Sequence, residues 1–161
     1  SRKKTCEFKV SGTGSAGQCV TARSWNYGLI HFDVHGGNFF VYEGEIQLFD
    51  FDDSVYSWFA NDIAMVFYYA SFGIRDDPEA VETRVKNFFA GYAEENDINP
   101  VWMEHIQAFL SLRDLILYAV VQHDIPEEEW DTWCRNLIRD AGHRLQTNEP
   151  VLPVDFTKIL I

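Results

Sequence analysis

One short stretch of this chain concentrates side chains able to do chemistry: His31-Phe32-Asp33-Val34-His35-Gly36-Gly37-Asn38, followed ten residues on by Leu48-Phe49-Asp50-Phe51-Asp52-Asp53. Asp33 and Asn38 are five apart in a glycine-containing loop, where side chains converge free of helical or strand constraint. Asn38 and Asp50 offer hard oxygen ligands of the kind magnesium takes, with waters and phosphate oxygens completing the octahedron. A second chemistry is open to the same residues: His31, Asp33 and His35 form an imidazole and carboxylate set that suits zinc or manganese, and hence a metallohydrolase.

These residues need elements to place them. The β-rich runs 38–42 and 46–50 flank an acidic turn with one glycine, which is a hairpin signal. A three-residue turn, Tyr42-Glu43-Gly44 with Gly44 left-handed, would pair Val41 with Glu45. The ladder would then set Asn38 opposite Leu48 and diagonal to Asp50 on one face, roughly 7 Å away. A two-residue turn would send the two ligands to opposite faces.

Residues 27–31 read as a short buried strand leading into the loop. After the hairpin the pattern is helical. Asp62 opens an apolar run, Ile63-Ala64-Met65-Val66-Phe67-Tyr68-Tyr69, suited to a central buried helix. Asp77-Pro78-Glu79 is a start signal, with a capping acid, proline at the first helical position and an acid in the first turn. Asn99-Pro100 opens a third helix and Pro126 with its three glutamates a fourth, while 147–161 reads as an extended tail. A hairpin followed by a helical bundle makes the fold class α+β, mostly α, and not a βαβ repeat.

The spacing resembles the protein-kinase catalytic loop, H-x-D-x-x-x-x-N followed by a D-F-x turn. The second histidine, as in H-G-D-x-H-x-x-N, makes the segment similar to the aminoglycoside phosphotransferase family and its choline and homoserine kinase relatives. Asn61-Asp62-Ile63-Ala64 resembles that family's D-[IL]-A helix start. The resemblance implies the C-terminal lobe of a protein-kinase-like fold over residues 27–161. The catalytic loop and hairpin would occupy 27–53, a helical acceptor region 60–146 and the tail 147–161. It implies transfer of the ATP γ-phosphate to a hydroxyl of a small molecule, with Mg2+ as cofactor. Asp33 would be the catalytic base, Asn38 and Asp50 the metal ligands, and Asp52 a further member of the metal shell. His31, His35 and Asp62 would brace the loop. Phe32 stands where the family carries glycine.

Only 30 residues precede His31, too few for the ATP-binding lobe the resemblance calls for, so a C-terminal lobe alone is expected. Residues 1–26 form a basic Gly/Ser-rich segment of uncertain structure. Its Gly12-Thr13-Gly14-Ser15-Ala16-Gly17 matches a phosphate-loop pattern but has no following lysine before His31 and no βαβ surroundings. A kinase-like remnant acting as a binding domain is therefore a second reading, and a dimer through an exposed lobe face a further arrangement left open.

Charge and cysteine content narrow the partners. The net charge of −12 argues against nucleic acid or an anionic membrane surface. Residues 1–30 hold five basic residues against one acid, the remainder eight against 24. The three cysteines are scattered without a CxxC pair, as in a reducing compartment. No apolar run has membrane-span length, and the expected location is the cytoplasm.

Overall fold

The computed structural model describes residues 7–8, 20–23 and 25–159. The Gly12 to Gly17 motif, Cys6 and Cys19 lie outside the described residues. Strands β1 (Glu7–Phe8) and β2 (Val20–Thr21) pair antiparallel.

β3 (Tyr27–Ile30) runs antiparallel to β6 (Val55–Trp58), with Tyr27 opposite Trp58 and Ile30 opposite Val55. Gly28 permits this pairing to sit against the first helix, because a Cβ there would come within 2.9 Å of the Phe59 ring. The sequence reading missed β6. Its Val-Tyr-Ser-Trp composition suits a strand, but four residues abutting a long helix carry too little period to separate from it.

The hairpin forms from β4 (Phe39–Tyr42) and β5 (Glu45–Leu48), in a register that differs from the one expected. Tyr42 pairs with Glu45 and Phe39 with Leu48, so the turn has two residues, Glu43 and Gly44. Both have positive φ, +52° and +85°. Two left-handed residues make the tight turn whose twist matches that of the strands. Gly44 is left-handed as expected. Glu43 joins it, shortening the turn by one residue and moving Asn38 from opposite Leu48 to opposite Phe49, whose N–H donates to the Asn38 carbonyl at 3.0 Å.

Four helices follow. α1 (Phe59–Ala70) starts three residues before Asp62 and buries Ala60, Ile63, Ala64, Met65, Phe67 and Tyr68. α2 (Pro78–Glu95) begins at the expected signal, with Asp77 Oδ1 accepting from the Ala80 N–H at 3.0 Å. At Asn99-Pro100 a 3-10 turn, Pro100–Glu104, precedes α3 (Ile106–Asp124). The Pro126 signal yields only a 3-10 turn, Glu127–Glu129. The Trp130 indole donates to the Ile125 carbonyl at 3.0 Å and closes that segment on itself. α4 (Thr132–Thr147) starts instead from Asp131, whose carboxylate caps the Cys134 N–H at 2.8 Å.

The core sits between α1, α2 and α3, and the tail completes it. Val151, Leu152, Phe156 and Ile159 are buried in the same cluster as Phe67, Phe89 and Leu110. The Phe67 ring meets Phe88, Phe89 and Phe156 at centroid separations of 4.9, 5.5 and 5.6 Å. A smaller cluster of Val121, Cys134, Leu137 and Ala141 joins α3 to α4. Among the described residues no helix is long and apolar enough to cross a membrane.

Candidate active site

β3 ends at Ile30, and the chain enters an irregular loop that reaches Asn38 before β4 begins. Asp62, in the first turn of α1, pins the start of this loop. Its Oδ2 accepts from the His31 N–H at 3.0 Å and its Oδ1 from the Phe32 N–H at 2.7 Å. Phe32 itself is left-handed, with φ +70°. Glycine reaches that conformation without strain, whereas a residue with a Cβ pays about 1–2 kcal/mol.

The two imidazoles brace the loop in similar ways. His31 is buried; its Nε2 lies 2.9 Å from the Phe49 carbonyl, and its Nδ1 takes a long contact, 3.4 Å, from the Asp33 N–H. His35 Nδ1 accepts from the Gly37 N–H at 2.9 Å while its Nε2 lies 3.2 Å from Asp33 Oδ2. An Nδ1 that accepts leaves the proton on Nε2, so both rings are the Nε2–H tautomer. Each ring nitrogen lone pair is thereby used by the backbone, an arrangement unlike the transition-metal set read as one option above. Among the described residues, no group of three or more His, Cys, Asp or Glu side chains is placed to hold a metal ion.

Asp33 stands at the centre with both carboxylate oxygens occupied. Oδ2 accepts from Asn38 Nδ2 at 3.1 Å and meets His35. Asn38 Nδ2 also donates to the Asp33 carbonyl at 3.0 Å. Oδ1 accepts from the Tyr69 hydroxyl at 3.0 Å and from Arg113 Nη2. Arg113 Nε donates to that same hydroxyl at 3.1 Å, which closes a ring of three side chains from the loop, α1 and α3. Burial pushes the Tyr69 phenol above its ordinary value against the opposing pull of Arg113, so the phenol keeps its proton and donates it.

Tyr69 and Arg113 are the members that sequence reasoning missed. A signal existed for Arg113. The positions 106, 109, 110, 113, 114, 117 and 121 form one helical stripe, apolar except for Arg113 and Asp114. Charged residues on a buried stripe need partners. Asp114, 1% exposed, takes its own from the neighbouring set: the Tyr68 hydroxyl at 2.7 Å and Arg144 at 2.7 and 3.0 Å. Burial and the Asp114 charge hold the Tyr68 phenol far above its ordinary value. Tyr69 carried no signal, because its apolar helix read as core.

The expected metal ligands are placed differently from each other. Asn38 is buried, with its Nδ2 turned to Asp33 and no hydrogen bond to its Oδ1 among the described residues. Asp50 is exposed and directly follows Phe49, the residue opposite Asn38, so the expected diagonal pairing is not formed. Asp50 has φ +62°, a left-handed turn that ends the ladder and re-aims its side chain away from the strand alternation. Among the described residues it has no hydrogen bond or ion pair. Asp52 and Asp53 are exposed just beyond it.

A cavity of about 1200 Å³ opens on the other side of α3, between the α1–α2 connection, α4 and the tail. Phe72, Arg75, Tyr118, Trp133 and Arg144 contribute to its wall; Asp33 does not.

Comparison with known proteins bears on the family and the fold. The model of the phosphotransferase enzyme family (APH) matches residues 18–98. The chain is similar to amicoumacin kinase of Bacillus subtilis (strain 168), 33% identical over 144 residues, covering 84% of this chain and 41% of that protein. It is also similar to methylthioribose kinase of Erwinia tasmaniensis, 30% identical over 90 residues, covering 52% of this chain and 21% of that protein. A solved structure of amicoumacin kinase hAmiN in complex with AMP-PNP, Ca2+ and Ami matches with a TM-score of 0.77 and 29% identity, covering 88% of this chain and 43% of that one. The chain thus spans less than half the length of the relatives it matches, and its fold is that of a kinase-like C-terminal lobe.

Proposed function

This chain belongs to the phosphotransferase enzyme family, and from that premise we propose that it works in transferring the γ-phosphate of ATP to a hydroxyl of a small molecule. The observation that carries the reading is the loop at 31–38. Asp62 pins its backbone, and two helices, a histidine and an asparagine hold the Asp33 carboxylate. Asp33 would accept the proton of the acceptor hydroxyl as the oxygen attacks phosphorus. Phosphoryl transfer passes through a loose transition state, so positioning and neutralisation of charge are most of what a protein supplies.

Asn38 Oδ1 and the Asp50 carboxylate, which has no hydrogen bond or ion pair among the described residues, are the oxygen donors that would hold a hard divalent cation, with Asp52 close in sequence. When bound, magnesium would neutralise charge on the ATP phosphates. The helical region 60–146 would supply the acceptor wall, reached across Asp33 from the half-exposed His35 side. The kinases it resembles act on amicoumacin and methylthioribose; the acceptor of this chain is a hydroxyl compound to be found by screening.

A second reading, a kinase-like binding domain without turnover, is favoured by the exposed apolar side chains of the hairpin. Phe40, Val41, Tyr42 and Ile46 are each more than half exposed.

Calorimetric titration with ATP and magnesium, beside Asp50→Ala, tests the proposal. Expected is binding that requires magnesium and is lost in the variant. Screening of hydroxyl acceptors should then give phosphorylated product, with turnover lowered about 10²–10⁴-fold in Asp33→Asn. ATP binding indifferent to both magnesium and Asp50, or turnover indifferent to Asp33, would sink the kinase reading and favour the second.

A further inference from the structure

We infer that Arg113 and Tyr69 are positioning residues that set the rotamer of Asp33 and leave its His35-facing side for the acceptor. The inference rests on the reading of Asp33 as the carboxylate that receives the acceptor proton.

Asp33 lies on an irregular loop, and a loop by itself holds a side chain poorly. The two groups on Oδ1 come from rigid elements: Tyr69 from the last turn of α1 and Arg113 from the middle of α3. Arg113 is 6% exposed and packs beside the Phe32 and Tyr69 rings, its guanidinium carbon 5.5 and 5.3 Å from their centroids. Among the described residues, its side-chain hydrogen bonds all go to Tyr69 and Asp33. The neighbouring Asp114 is no competitor, since Tyr68 and Arg144 already hold its two oxygens. Adjacent residues of α3 are thus divided, Arg113 serving the loop and Asp114 serving α4.

Stability alone is a weak reason for such a pair. Desolvating a guanidinium is costly, and a buried ion pair is often matched by apolar residues of similar volume. What apolar residues could not do is hold a carboxylate in one orientation. The two sides of Asp33 also differ. Oδ1 is held by the buried Arg113 and the partly buried Tyr69, and Oδ2 by the buried Asn38 and by His35, which is 30% exposed and the most open of the four. An acceptor hydroxyl arriving from solvent would displace the His35 contact and meet a carboxylate already oriented from behind.

The test does not need turnover. Three-bond couplings of the Asp33 side chain, measured by NMR on the full chain, should report a single χ1 rotamer in the wild type. Arg113→Met and Tyr69→Phe should each give averaged couplings, and Arg113→Lys an intermediate result. Should Arg113→Met fail to fold, Tyr69→Phe keeps the ring and removes only the hydroxyl. A single native rotamer in a folded Arg113→Met or in Tyr69→Phe would overturn the inference. In an acceptor assay the same variants should lose about 10–100-fold in kcat with the KM for ATP unchanged. A loss confined to the KM for ATP would also overturn it. An absence of turnover in the wild type would count against the kinase reading only, and the rotamer measurement would still decide this one.

Discussion

The Asp62 carboxylate binds the backbone of Phe32 at 2.7 Å although the two residues are 30 apart in sequence, and it binds His31 beside it at 3.0 Å. Charge-assisted bonds of this kind contribute about 1.5–3 kcal/mol each when partly buried. Asp62→Ala, which removes both, should therefore cost roughly 3–6 kcal/mol, read from urea denaturation. Asp62→Asn keeps one acceptor oxygen and should lose about half as much. Equal losses in the two variants would mean that one of the two hydrogen bonds contributes nothing.

Phe32 offers a cleaner backbone experiment. Its φ of +70° strains any residue that carries a Cβ, and its ring is a separate contribution through its contact with Arg113. Comparing Phe32→Gly with Phe32→Ala removes the ring in both and the strain in only one. The glycine variant should be the more stable by about 1 kcal/mol, even though glycine loses more entropy on folding. An alanine variant equal to or better than glycine would place Phe32 outside the left-handed region in solution.

Much of this architecture was legible in the residues. The irregular loop before β4, the hairpin, the Asp77-Pro78 helix start and the apolar run after Asp62 follow from local spacing, and the structure has these elements in that order. The register of the hairpin was not legible. Gly44 announces one left-handed position, but nothing local announces a second at Glu43, whose conformation follows from the twist of the strands. Tyr69 and Arg113 were hidden for another reason. Each is 36 or more residues from Asp33 in sequence, so only the packing of α1 against α3 brings them to it. The fourth helix was placed early because Pro126 and three glutamates imitate a first turn, while the true cap, Asp131, is a single residue with a weak signal of its own.

The second polar set across α1, α3 and α4 should behave as a unit. Asp114 is almost fully buried and holds Tyr68 and Arg144. Asp114→Ala strands a guanidinium and a phenol and should cost about 3–5 kcal/mol. Tyr68→Phe removes one of three hydrogen bonds and should cost about 1–2 kcal/mol. Combining the two should cost less than their sum, because the second change removes a group the first has already stranded. Strict additivity in thermal or urea denaturation would mean that Tyr68 and Asp114 act independently.

His105 supplies a pH dependence of known sign. It is buried between the Pro100–Glu104 turn and α3, its Nε2 has no hydrogen-bond partner among the described residues, and the Trp102 ring meets it edge-on at 5.7 Å. Burial pulls its pKa below the ordinary histidine value, against a smaller opposing effect of Glu104. The folded chain therefore keeps His105 neutral where the unfolded chain has begun to bind a proton, near pH 6.5. Binding by the unfolded state alone means that stability is highest above this range and falls as pH drops through it, levelling only below the folded pKa. His105→Phe removes the titrating group and retains an aromatic ring at the same place. Urea midpoints measured at pH 7.5, 6.5 and 5.5 should show the variant gaining on the wild type at each step toward acid. A gap that stays constant over those three values would mean that His105 binds its proton equally well in both states, and that its nitrogen finds a partner in solution.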